Sequence, residues 1–122
     1  MKVRDSALRA KRFEASEKGR KVASLEAMIR EFETMISDLS RQISVEEERT
    51  GVRDAGHFAY STFAKSAAQR RSNLATSLGD LKAKLDVARR DYEDAAAELS
   101  KLEPADDRDR AIRKIDPRAM IG

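Results

Sequence analysis

Few side chains of this sequence are of the types that catalyse reactions or hold metal ions. His57 is the single histidine, and cysteine is absent. No carboxylate cluster stands at metal-ligand spacing from His57, so a loop histidine is its simplest interpretation. Ser61, Thr62 and Ser66 follow it, but no base stands at a fixed spacing from them to activate a hydroxyl. The glycines of "TGVRDAG" do not form a phosphate-binding loop. We therefore expect no catalysis, no cofactor and no metal.

The aromatic residues suggest binding rather than catalysis. The chain has four Phe, two Tyr and no Trp, and half of these rings lie within "HFAYSTF", at Phe58, Tyr60 and Phe63. The rings could close the end of a hydrophobic core, or they could remain on the surface and anchor a partner, as aromatic residues commonly do at interfaces. We expect them to divide these roles, with Phe63 more inward and Tyr60 or Phe58 more outward.

The composition predicts long helices. Charged residues make up 39% of the chain and aromatic residues 5%, with five Gly and two Pro, a mixture typical of coiled coils. The acidic run Glu46, Glu47 and Glu48 is then most simply a solvated helix face. No segment resembles a signal peptide or a membrane-spanning helix, and the lack of cysteine suits a reducing compartment. We expect a soluble, cytoplasmic protein.

Two heptad patterns predict a first coiled-coil helix over residues 1–49 and a second over residues 61–103. The first pattern comprises Leu8, Ala15, Val22, Leu25, Ile29, Phe32, Ile36, Leu39 and Ile43. The second comprises Tyr60, Ala64, Ala67, Arg71, Leu74, Leu78, Leu81, Leu85, Ala88, Tyr92, Ala95, Leu99 and Leu102. The first pattern is weak before Val22, because Lys11 and Lys18 occupy two of its positions.

The segment between the two patterns, "RTGVRDAGH", contains two glycines and is the best candidate for a turn. We assign residues 50–60 to a hairpin turn with an aromatic tip. Pro104 ends the second helix or begins a new one, since proline is tolerated in the first turn of a helix but not in its middle. Residues 104–122 are expected to form a charged C-terminal tail that could include a short helix.

The distribution of charge predicts how the helices pair. Residues 2–22 carry eight basic and three acidic side chains, whereas residues 88–108 carry four basic and seven acidic ones. Residues 30–49 carry three basic and six acidic, and residues 61–80 three basic and one acidic. Folding the chain back on itself places opposite charges together, whereas a parallel dimer would place like charges together.

We therefore predict an all-α fold, a long two-helix antiparallel coiled-coil hairpin. In this register Phe32 faces Leu78 and Ile29 faces Leu81, unless the pairing is shifted by one heptad. Such a hairpin has little core and leaves apolar groups on its surface, so a larger partner is expected. The basic first helix could also grip phosphates, but acidic residues interrupt it and only Phe13 could stack on a base. A generic coiled-coil adaptor or a nucleic-acid-associated coiled coil is the alternative function.

The sequence resembles the FliJ family of flagellar type III export proteins in its alphaproteobacterial form. The resemblance covers residues 3–103 and rests on three stretches. These are "RDSALRAKRFEASEKGRKVASLEAMIREFETMISDL", "EEERTGVRDAGHFAYSTFAKSAAQRRSNL" and "LGDLKAKLDVARRDYEDAAAELSKLE". The part "HFAYSTFAK" is the most specific, because heptad patterns recur in unrelated coiled coils. The tail after Pro104 departs from the family pattern.

The resemblance implies a non-catalytic hairpin similar to the stalk subunit of rotary ATPases. Members of the family enter the ring of the flagellar export ATPase, contact the cytoplasmic domain of the export gate and bind export chaperones. For this chain, it implies that the basic terminal half faces the ATPase, with candidate contacts at Arg4, Arg9, Arg12 and Arg20. It leaves the hairpin end for the gate, with candidate contacts at Phe58, Tyr60 and Phe63. Neither a small-molecule substrate nor nucleic acid is implied, and the membrane is approached only through partners.

Overall fold

The computed structural model describes residues 2–103, which form two helices. Helix α1 spans Lys2–Thr50 and helix α2 spans Thr62–Leu102. The ends of both helices lie within one residue of the ends expected from the heptad patterns. No strand occurs between residues 2 and 103. The two helices pack against each other as a hairpin, which confirms the predicted all-α antiparallel fold. The predicted charged tail, residues 104–122, lies outside the described residues.

The chain divides into two units, and each has its own packing between α1 and α2. One unit is Lys21–Ala88; the other combines Met1–Arg20 with Arg89–Gly122. Throughout the described residues, buried apolar side chains occur only at positions of the two heptad patterns. They are Ala15, Leu25, Ile29, Leu39, Ile43, Ala64, Ala67, Leu81, Leu85, Ala88 and Ala95. The heptad pattern therefore predicted which positions form the core.

The unit Lys21–Ala88 holds two hydrophobic clusters. The first consists of Leu25, Ile29, Leu81, Leu85 and Ala88, with Val22, Phe32 and Leu78 packed against it. The second consists of Leu39, Ile43, Ala64 and Ala67, with Tyr60, Ala68 and Leu74 packed against it. The predicted facing residues of the first cluster thus lie together, as the unshifted register requires.

In the other unit, alanines and lysines occupy several positions of the heptad patterns. Ala15 and Ala95 are the buried apolar side chains of its described residues. The Lys11 ammonium donates to Glu98 on α2 at 2.8 Å and to Glu14 at 3.4 Å, and Lys18 pairs with Glu14 at 3.2 Å. These contacts explain how two lysines are accommodated within an apolar pattern. The hydrogen bond to Glu98, followed by that to Glu14, raises the pKa of Lys11.

Gly19 provides space for an aromatic ring in the same unit. A β-carbon at Gly19 would lie 3.0 Å from Cε1 of Tyr92, closer than ordinary van der Waals contact. The ring of Tyr92 therefore rests on the bare backbone of α1 at this point. Tyr92 is a position of the second heptad pattern, and it remains 40% exposed although its ring contacts α1.

Candidate partner-binding surfaces

The end of helix α1 is fixed by Gly51. This residue has a φ of 74°, in the left-handed region that glycine adopts without steric cost. Its N–H donates to the carbonyl of Glu47 at 2.9 Å, so Gly51 is the residue just past the helix in an αL C-cap. The Thr50 hydroxyl accepts the N–H of Val52 at 3.3 Å. The chain consequently leaves the helix in one defined direction.

The loop after Gly51 is held by two successive turns. The Asp54 carboxylate accepts the N–H of Gly56 at 2.9 Å, and the Asp54 carbonyl accepts the N–H of His57 at 3.0 Å. Next, the His57 carbonyl accepts the N–H of Tyr60 at 3.0 Å, and its Nδ1 accepts the N–H of Ala59 at 3.0 Å. His57 lies in the loop, as its simplest interpretation from sequence expects, and it accepts hydrogen bonds from the two residues that flank the next turn, Ala59 and Tyr60.

Tyr60 ties this loop to the end of helix α1. Its ring packs against the cluster formed by Leu39, Ile43, Ala64 and Ala67. Its hydroxyl donates to Oε2 of Glu47 at 2.8 Å, a bond to an ionised acceptor and therefore stronger than a neutral one. This hydrogen bond, more than burial, raises the pKa of Tyr60 above 10.0. Tyr60 is thus the aromatic residue that closes the core.

Ser61 caps the second helix and at the same time contacts the first. Its hydroxyl oxygen accepts the N–H of Ala64 at 3.2 Å, the usual N-cap bond, and donates to Oε1 of Glu46 at 2.9 Å. Arg49 donates to Oε2 of Glu46 at 3.1 Å. Hydrogen bonds from Arg49 and then Ser61 lower the pKa of Glu46.

The expectation that the acidic run Glu46, Glu47 and Glu48 is only a solvated helix face is therefore wrong. Two of the three carboxylates of this run brace the loop, Glu46 through Ser61 and Glu47 through Tyr60. Only 16% of the Glu46 side chain is exposed. The sequence signal for this arrangement was weak, because only a defined turn brings Ser61 back to the helix it follows.

Phe58 is the most exposed ring of the aromatic cluster. It is 97% exposed and touches the imidazole of His57, with the ring centres 4.6 Å apart and the planes at 24°. An outward Phe58 was among the alternatives expected from the sequence. Because the backbone on both sides of it is hydrogen-bonded, the ring is displayed on an ordered support.

The expectation that Phe63 lies more inward holds against Phe58 but is wrong against Tyr60, which packs on the core. Phe63 is 55% exposed and borders a shallow groove together with Gln42 and Arg70. The physical reason is helical phase: Ala64, one position later, points into the core and is completely buried. Tyr60, in the loop before α2, packs against the cluster that contains Ala64 and takes the inward place.

The four arginines predicted to bind a partner all lie exposed on the first half of α1. At about 100° per residue, Arg9, Arg12 and Arg20 fall within an arc of about 80°. Arg9 and Arg20 lie on the outer side of the helix, Arg12 lies beside the seam, and Arg4 lies on the seam side. Arg20 donates to Glu17 at 2.7 Å, a pair that remains solvated. Three of the four therefore form one basic stripe.

Within residues 2–103, no group of three or more His, Asp or Glu side chains is arranged to hold a metal ion. No helix in this range is both long and apolar enough to cross a membrane. Comparison of the chain with protein-family models, with curated proteins and with solved structures finds no match.

Proposed function

We propose that this protein is a non-catalytic component of a flagellar type III export apparatus. In this role it binds the export ATPase ring with its basic terminal half and the cytoplasmic domain of the export gate with its tip. It also binds export chaperones, and it works in the cytoplasm beside the inner membrane. The proposal rests on the resemblance to the FliJ family in "HFAYSTFAK", together with the antiparallel hairpin.

The observation that carries the proposal is the display of Phe58. A ring that is 97% exposed gains nothing from the fold, and burying such a side chain in an interface contributes roughly 1.5–3 kcal/mol. The loop is ordered by turns and by Tyr60, so little conformational entropy is lost when a partner binds. An exposed aromatic residue on a rigid support is typical of an interface anchor.

The basic stripe of α1 supports the ATPase contact. Arg9, Arg12 and Arg20 are exposed along one side of the helix, where they can pair with carboxylates lining a ring. Guanidinium groups form bidentate pairs with carboxylates and favour such contacts over lysine. Charge complementarity of this kind sets the orientation and rate of assembly.

The test is stimulation of the matching export ATPase. Addition of the purified chain should raise ATP turnover, and simultaneous replacement of Arg4, Arg9, Arg12 and Arg20 by Glu should abolish the increase. The matched control replaces four exposed arginines elsewhere, Arg30, Arg41, Arg53 and Arg70, by Glu. This control carries the same change in net charge, and it should still stimulate the ATPase.

Circular dichroism should show helical signal in both variants. If both variants lost stimulation equally, the effect would depend on net charge and not on the four predicted arginines. If the native chain did not stimulate the ATPase, the stalk role would be refuted. The alternative, a nucleic-acid-associated coiled coil, predicts binding to random duplex DNA that weakens steeply as salt rises. Such binding at physiological ionic strength would favour that alternative.

A further inference from the structure

An open groove runs along the unit Lys21–Ala88, away from the hairpin tip. Its volume is about 590 Å³, and it is lined by Lys21, Leu25, Ala83, Lys84, Val87 and Ala88. Leu25 and Ala88 form its floor, since both are buried core residues. Val87 also lines the groove, and it is 50% exposed. Both helices contribute to it, so the groove is the kind of surface into which a third helix packs.

On α1 the apolar surface continues past the groove. Met28 lies seven positions after Lys21 and three after Leu25, which places the three side chains on one face of the helix. Met28 is 40% exposed, and methionine adapts its shape to different apolar partners. Met28 therefore adds one exposed apolar side chain to this face, about one turn beyond Leu25.

The polar groups of the groove are two lysines, one on each helix. Lys11 and Lys18 pair with glutamates, whereas within the described residues neither Lys21 nor Lys84 forms an ion pair. Lysine can lay its alkyl stem along an apolar surface and keep its ammonium group at the rim. The groove thus has an apolar floor flanked by two lysines that form no ion pair among the described residues.

This charge pattern selects the occupant. A helix with an apolar stripe would bury Val87 and Met28, and carboxylates beside that stripe would pair with Lys21 and Lys84. A second copy of this chain, related by a two-fold axis through the groove, would bring the same lysines together, which is repulsive. We propose that the groove binds an acidic amphipathic helix of a different protein. None of the residues that line the groove belongs to the aromatic tip or to the arginine stripe.

The test uses two synthetic helical probes that differ only in charge. Both have leucine at the first and fourth positions of three heptads; one carries glutamate beside the leucines and the other carries lysine. Fluorescence anisotropy with the full chain should show that the acidic probe binds at least about tenfold more tightly, the equivalent of about 1.4 kcal/mol. Equal binding of both probes would overturn the proposal.

Variants of the chain locate the binding site. Val87→Glu, and the pair Lys21→Glu with Lys84→Glu, should each weaken binding of the acidic probe about tenfold or more. The matched control, Lys82→Glu with Lys101→Glu, changes two exposed lysines of α2 that do not line the groove. It changes the net charge equally and should retain binding. Equal weakening in the control would mean that the attraction is not specific to the groove.

Sedimentation equilibrium of the native chain and of Val87→Glu tests the other occupant. The native chain should remain monomeric, and Val87→Glu should not change its mass. A native dimer that dissociates in Val87→Glu would assign the groove to a second copy and refute the proposal. Because none of these measurements involves the ATPase or the gate, their outcome is independent of the proposed export function.

Discussion

Three aromatic side chains at the hairpin tip have different surroundings although they lie within one short segment. Tyr60 packs on the core and bonds to Glu47, Phe58 is fully exposed, and Phe63 is about half exposed. The sequence showed that the rings cluster beside a turn. It did not show which ring turns inward, because that depends on where α2 begins relative to the loop. Extending the second heptad pattern backwards, however, does include Tyr60 and does not include Phe63.

These differences predict separate effects on stability and on binding. Tyr60→Ala should lower the free energy of unfolding by about 1–2 kcal/mol, through lost burial and a lost hydrogen bond to a charged group. Phe58→Ala should leave the melting temperature unchanged, because the side chain contacts solvent and one neighbouring ring. Thermal denaturation followed by circular dichroism measures both effects.

Binding to the cytoplasmic domain of the export gate, measured by calorimetry, completes this comparison. Phe58→Ala should reduce the affinity at least about tenfold if the ring is an anchor. Tyr60→Phe serves as the control, since it keeps the ring and removes only the hydroxyl bonded to Glu47. Unchanged gate binding by a folded Phe58→Ala variant would assign the tip a purely structural role.

At the scale of the helices, the heptad pattern carried most of the information about the fold. It predicted two helices and the buried positions, because a stripe that repeats every seven residues can be buried only along one face, while the distribution of charge predicted how the helices pair. The caps were not predicted. Ser61 and Glu46 meet because Gly51 and two turns return the chain to α1, and turn geometry is encoded by few residues. The heptad periodicity therefore predicts the helices but not the conformation of the loop that joins them.

The cap at the helix junction predicts a dependence of stability on pH. Arg49 and then Ser61 lower the pKa of Glu46 below its usual value of 4.5. A carboxylate with a lower pKa in the folded state stabilises the protein above pH 4.5, and this contribution is lost as the pH falls through the folded-state pKa. At pH 7 the Glu46→Gln variant should therefore have a lower melting temperature than the native chain. This difference in melting temperature should become smaller as the pH is lowered towards 3.

The matched control for this measurement is Glu48→Gln, which changes an exposed neighbour in the same run of glutamates. Its melting temperature should follow that of the native chain across the whole pH range. A constant difference between Glu46→Gln and the native chain from pH 7 to pH 3 would contradict the role assigned to the ionised Glu46. Glu14, whose pKa is lowered by Lys18 and then Lys11, is unaltered in both variants.

At the scale of the whole molecule, the question is whether the two helices pair within one chain in solution. Opposed charge blocks along the sequence favour intramolecular pairing. Lys11 and Glu98 form an ion pair between α1 and α2 at 2.8 Å, although 87 residues separate them in the sequence. An exposed ion pair of this kind adds little stability by itself. It can form only where α1 and α2 lie side by side, so its detection shows that the two helices are paired. A carbodiimide, which joins amines directly to carboxylates, should link these two side chains.

We predict that the native chain is monomeric in dilute solution and that this cross-link is intramolecular. Light scattering should give the mass of one chain. Unlabelled and ¹⁵N-labelled chains are unfolded together, refolded and cross-linked. Mass spectrometry should then find that the two peptides of each Lys11–Glu98 link are either both unlabelled or both labelled. The variant Lys11→Arg keeps the charge but cannot react, so it should lose this link and retain the Lys18–Glu14 link within α1. A dimeric mass with about half of the linked peptides carrying mixed isotopes, the statistical expectation for pairing between two chains, would show that the helices pair between molecules.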